Sequence, residues 1–146
     1  VTGWGVVKAT GSKISYIDAG VIKTSKSELA FKLKDIHDRL TEIIAKYQPD
    51  QSSVESLFHA VNSQSALKLG HARGAILLTL ANSDIIINEY APTRVKQAVT
   101  GYGRAEKQQV QKMVKLLLNI DCDLTLDASD ALALAICHAN SNPILR

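Results

Sequence analysis

Residues 1–24, VTGWGVVKATGSKISYIDAGVIKT, decide the fold. They hold three short runs rich in β-branched residues, VTGWGVVKA, SKISYID and GVIKT. Gly11 and the Asp18–Gly20 stretch punctuate them, which predicts an antiparallel meander of three strands. The chain opens on Val1 rather than Met, already inside strand-like sequence, so the natural protein is expected to continue upstream.

Working outward, SELAFKLKDIHDRLTEIIAKYQPD repeats Leu29, Leu33, Ile36, Leu40, Ile43, Ile44 and Tyr47 at three- and four-residue steps. That spacing predicts an amphipathic helix stopped before Pro49, with Ser27 as its cap. SSVESLF reads as a short strand around Val54, and NSQSALKLGHARGAILLTLA as a second helix capped by Asn62 or Ser63. DIIINEY is a solid apolar run, typical of a parallel strand buried on both faces. APTRVKQAVTGYGR is irregular or part-helical with a Gly101–Tyr102–Gly103 hinge. AEKQQVQKMVKLLLNI predicts a third helix with a stripe of Val110, Met113, Val114 and Leu117. LTLDASDALALAICHA, residues 124–139, predicts a last, largely apolar one. A meander followed by strand–helix units implies an α/β protein: a mixed five-stranded sheet, antiparallel meander plus parallel strands, with helices on both faces. That order is similar to the RNase H-like fold, and the whole of 1–146 is expected to form one such domain, lacking the start of its first strand.

The 146 residues are 46% hydrophobic and 21% charged, ordinary for a globular chain. No apolar run suits a bilayer span. Cys122 and Cys137 lack metal-site spacing and read as buried thiols, which points to a reducing cytoplasm. Charge is segregated. Arg94, Lys96, Arg104, Lys107, Lys112 and Lys115 face a lone acid, Glu106, whereas Asp121, Asp123, Asp127 and Asp130 follow with no base among them. On charge alone this is a solvated basic helix beside an acidic loop; it also suits a polyanion handled with a divalent metal.

Asp127 and Asp130 stand three apart, on one helix face with Cβ atoms roughly 5–6 Å apart. The helix dipole favours acids in a first turn, so Asp127 as cap and Asp130 at the third position is one reading. Glu55, ending SSVE at the carboxyl end of a strand, favours the other, since carboxylates are natural ligands of Mg²⁺ and Mn²⁺. Three acids are thin for two metals, and a fourth is expected. His138 lies two helical turns beyond Asp130, too far to share its metal, and reads as a core or surface residue.

Several long stretches resemble the RuvC family of Holliday-junction resolvases, in order and over essentially the whole chain. They are Glu55–Ser56–Leu57–Phe58 with NSQSALKLGHARG (62–74), RVKQAVTGYGRAEKQQVQKMV (94–114) and DASDALALAICH (127–138), together with the opening VTGWGVV. The resemblance implies a Mg²⁺-dependent endonuclease of the RNase H-like superfamily, acting as a homodimer on four-way DNA junctions in recombination and repair. It implies two metal ions per site, with Mn²⁺ able to substitute, roughly 3.5–4 Å apart on the scissile phosphate. The products would be 5′-phosphate and 3′-hydroxyl ends. Contact with the branch-migration proteins is implied as well.

By the motif matches, Glu55, Asp127 and Asp130 carry over as metal ligands and catalytic acids, and the family's first acid would precede Val1. Lys107 and Lys96 carry over beside the scissile phosphate, although each alone would read as a surface lysine. Arg94 and Arg104 are further DNA contacts, and Gly101 and Gly103 would let backbone approach phosphates. Phe58 would stack on a base at the opened junction; its bland reading is a core residue. Ala66, Gly70 and Gly74 form a smooth stripe that could pack on the sheet. The resemblance makes it a dimer interface, with Asn62, Leu69 and Arg73 nearby. The alternatives are a catalytically inactive junction-binding protein and an RNase H-like nuclease acting on RNA or plain duplex.

Overall fold

The computed structural model describes residues 1–56 and 63–141. Strands β1 (Thr2–Thr10) and β2 (Lys13–Ile22) form an antiparallel hairpin around Gly11, whose φ of 61° suits a residue without Cβ. The expected second and third strands are thus one continuous strand. The Asp18–Gly20 signal is real but marks a bulge. Val6 pairs with Asp18 and Val7 with Tyr16, leaving Ile17 as an extra, exposed residue. The bulge shifts the side-chain alternation of β2 by one. Ile14 and Tyr16 before it and Ala19 after it therefore reach the same core, whereas Gly20 and Ile22 face the other way.

After α1 (Leu29–Tyr47) comes β3 (Gln51–Glu55), then α2 (Ser63–Asn82), β4 (Ile86–Tyr90), α3 (Pro92–Thr100), α4 (Lys107–Leu118) and α5 (Leu126–Ser141). β3 and β4 pair in parallel, as expected, with Glu55 opposite Tyr90. Among the described residues the strands form two two-stranded ladders, four strands and not five. Helices cover both faces. α1 and α2 pack around Ile22, Ile36 and Ile43 with Trp4. On the other face α3, α4 and α5 bury Val95, Val99, Val110, Val114, Leu132 and Ile136 against Val7 and Ile14.

α5 lies on β1 in backbone contact. A Cβ built on Gly3 would stand 2.0 Å from the Asp127 carbonyl oxygen, and one on Gly5 2.6 Å from Leu132 Cδ2. The two glycines share one strand face, so they set how close α5 comes and fix Asp127 beside the start of β1. On the opposite face the Trp4 indole covers Gly20.

Local expectations are corrected in places. Glu28, not Ser27, holds the cap position of α1, without a side-chain cap bond; the Ser27 hydroxyl instead pairs with that of Ser25 at 2.8 Å. β4 is not buried on both faces: Ile86 is 60% exposed. In α4 the inward stripe is Val110, Val114 and Leu118 with Met113 packed beside them, as expected except at Leu117, which points outward. Cys137 is buried but Cys122 is exposed. No helix among the described residues is long and apolar enough to cross a membrane.

Candidate functional site

α5 begins at Leu126 because Thr125 caps it: its hydroxyl accepts the Ala128 N–H at 3.1 Å and its carbonyl the Ser129 N–H at 2.9 Å. The cap reading for Asp127 therefore fails. Asp127 stands in the first turn and Asp130 follows on the same side. Glu55 ends β3.

Electrostatics link these groups. Glu55 is open at the surface, yet surrounding protein strips enough water from its carboxyl to push its pKa up; the negative charge of Asp130 adds to this, and Lys107 and Lys96 oppose it. Asp130 is raised too, first by burial, with Asp127 adding and Lys107 and Lys96 again opposing. The charge of Asp130 on α5 thus reaches Glu55 on β3, Asp127 acts on Asp130 from the same helix, and the two lysines oppose both shifts.

Lys107 is the first residue of α4, behind a capping box in which Glu106 and Gln109 bind each other's backbone N–H groups. A cation there opposes the helix dipole, so helix stability does not account for it. Lys96 lies inside α3 rather than in a loop. Arg94 lays its guanidinium over the Tyr90 ring, 5.1 Å from the centroid. Arg104 is exposed in the turn between α3 and α4, where Gly101 takes φ 80°. Phe58 and Asn62 lie outside the described residues.

The stripe on α2 does not pack on the sheet. Nothing lies within 4 Å of a Cβ built on Gly70 or Gly74. Both line an open groove of about 500 Å³ between α1 and α2, with Ala30, Leu33, Ala75 and Leu78. Leu69 is 52% exposed, and Ala66 is half-buried. Arg73 turns inward instead, onto Glu89 and the backbone of Glu55.

One support for the site escapes sequence reasoning. His138 is buried, as a core residue, and joins three elements: Tyr90 Oη lies 2.6 Å from its Nδ1 and Gln51 Oε1 2.7 Å from its Nε2. With the Gln51 oxygen accepting, Nε2 carries the proton and Nδ1 accepts from Tyr90; Asn88 Nδ2, 3.3 Å from Nε2, then donates to the Ser52 carbonyl instead, at 3.2 Å. Tyr90 ends β4 opposite Glu55 and Gln51 starts β3, so this network ties both strands of the pair to α5. The polar end of DIIINEY was the available signal.

Oxygen donors alone are the ligand chemistry of Mg²⁺ and Mn²⁺, and Glu55, Asp127 and Asp130 fit it by type. Among the described residues no group of three or more His, Cys, Asp or Glu side chains stands close enough together to hold a metal ion. What stands ready is a repelling carboxylate pair that a divalent cation would relieve.

Fold and site together define a class, an α/β protein of RNase H-like order with carboxylates and lysines gathered beyond a parallel strand end. The family model described as crossover junction endodeoxyribonuclease RuvC matches residues 1–138. The RuvC endonuclease of Vibrio campbellii is 47% identical over 145 residues, 99% of this chain and 84% of that one. That of Geobacter metallireducens is 49% identical over 142 residues, 97% and 87% of the two chains. The structure of Thermus thermophilus RuvC in complex with a Holliday junction substrate superposes with a TM-score of 0.86 at 33% identity, covering 94% of this chain and 85% of that one. The chain belongs to the crossover junction endodeoxyribonuclease RuvC family.

Proposed function

We propose that this chain is a structure-selective endonuclease that resolves four-way DNA junctions by symmetric, metal-dependent nicking of two strands, in recombination and repair in a bacterial cytoplasm. The observation that carries the reading is that Glu55, ending β3, feels the charge of Asp130 on α5, with Lys107 and Lys96 opposing. Glu55, Asp127 and Asp130 would hold Mg²⁺, two ions per site, with Mn²⁺ as substitute. Bound there, the metal supplies Lewis-acid activation of a water and of the scissile phosphate.

The chain's own groups do the rest. Lys107 and Lys96 neutralise charge on the phosphate as it is attacked. Arg94 and Arg104 hold flanking phosphates, and the Gly101–Gly103 turn lets backbone approach them. Phe58 stacks on an unpaired base at the junction centre. Hydrolysis leaves a 5′-phosphate and a 3′-hydroxyl. The α2 stripe of Ala66, Leu69, Gly70 and Gly74, with Asn62 as a further contact residue, forms a two-fold dimer that presents two equal sites to one junction. The branch-migration complex is a further partner.

The test is cleavage of end-labelled four-way junction and linear duplex, with Mg²⁺ and with chelator. Junction alone should be cut, and only with metal. Glu55→Gln and Asp130→Asn should each lower the rate at least a hundredfold while junction binding survives. Retained cleavage in either variant overturns the site.

A further inference from the structure

Arg73 sits on the helix whose small residues open onto the groove, yet its side chain runs the other way. Nε donates to the main-chain oxygen of Glu55 at 3.3 Å, and Nη2 pairs with Glu89 Oε1 at 2.7 Å. Glu55 is the last residue of β3, and Glu89 lies opposite Val54 on β4. One guanidinium therefore reaches from α2 to the ends of both strands of the parallel pair. The Arg73 side chain is 22% exposed, sheltered enough for the contact to be ordered. The chemistry asks for arginine: its planar fork offers separate donors to a carbonyl and a carboxylate, where lysine offers one point charge.

The charges that act on the Glu55 carboxyl are those of Asp130, Lys107 and Lys96. Arg73 is not among them; its own charge pairs with Glu89. Its influence on Glu55 runs through the backbone.

We propose that Arg73 is a positioning residue that pins the Glu55 carbonyl, sets where the Glu55 carboxylate stands relative to Asp130, and makes that placement depend on α2. The inference rests on the reading of Glu55 as a metal ligand. Removing supports behind a ligand lowers metal affinity about 10–100-fold.

The test measures Mn²⁺ binding by calorimetry, mass by sedimentation and junction binding in chelator, on the full chain and its Arg73→Ala, Arg73→Lys and Glu55→Gln variants. Arg73→Ala should weaken Mn²⁺ binding at least tenfold with mass and junction binding unchanged. Arg73→Lys, which keeps the pair with Glu89 but loses the carbonyl bond, should stay at least fivefold weaker, and it carries the test if Arg73→Ala does not fold. Wild-type Mn²⁺ affinity in Arg73→Lys overturns the proposal, as does loss of the dimer with Mn²⁺ binding intact. If Glu55→Gln itself binds Mn²⁺ normally, the reading of Glu55 fails, a result distinct from failure at Arg73.

Discussion

Asp130 is half-buried on a helix that otherwise serves the core, and its charge is held against burial and against Asp127. Its folded pKa is raised, so the folded chain binds the proton more readily than the unfolded one. Stability from this group therefore rises as pH falls through its folded pKa, and at neutral pH the charged form opposes folding. Asp130→Asn should raise the Tm in chelator at pH 7 by a few degrees, and the gap to wild type should close as the pH is lowered. A variant less stable than wild type at pH 7 would show that Asp130 is held for structure. The sequence made Asp127 and Asp130 legible because their relation is local, three residues on one helix. It left their capping alternative open, and Thr125, two residues upstream of Asp127, removed it.

At the scale of elements, the glycines of β1 and the buried network at His138 set the relation of α5 to the strands. Gly3 and Gly5 were visible in VTGWGVV, but their purpose was not, because the helix that touches them comes more than a hundred residues later. Gln51 and His138 stand 87 residues apart and share no periodic pattern, so no local signal pairs them. The bulge at Ile17 was half legible: the break showed, while its nature depended on the β1 pairing. His138 carries a measurable consequence. Burial lowers its pKa from the ordinary 6.5, so below that pH the unfolded chain takes up a proton that the folded one resists. Wild type thus loses stability as pH falls through the folded pKa of His138. His138→Leu should cost about 1–3 kcal/mol at pH 7.5, since the Tyr90 hydroxyl and the Gln51 oxygen each lose the ring nitrogen they bond. Its Tm should then approach that of wild type as the pH drops below 6.5. A gap that widens toward acid would show that His138 is charged in the fold.

At the scale of the whole molecule, function turns on whether the α1–α2 groove closes on a second copy. The family resemblance raised a dimer, whereas the stripe alone was equally compatible with packing on the sheet. The structure removes that second option, because Gly70 and Gly74 face open space. The two possibilities for the groove differ in what a larger residue would do. In a monomer, the Cβ of Gly70→Glu meets nothing within 4 Å, and the change replaces a poor helix former with a better one, worth about 0.5 kcal/mol in favour of the helix. In a dimer whose helices meet along this stripe, the same carboxylate would be buried in the helix contact and would hold the copies apart. Gly70→Glu should therefore give a folded protein of half the sedimentation mass, with helical circular dichroism unchanged. It should also nick a junction at one strand at a time, because two sites are no longer bound together. A Gly70→Glu protein that sediments as wild type and cuts both strands in concert would place the two-fold contact elsewhere on the surface.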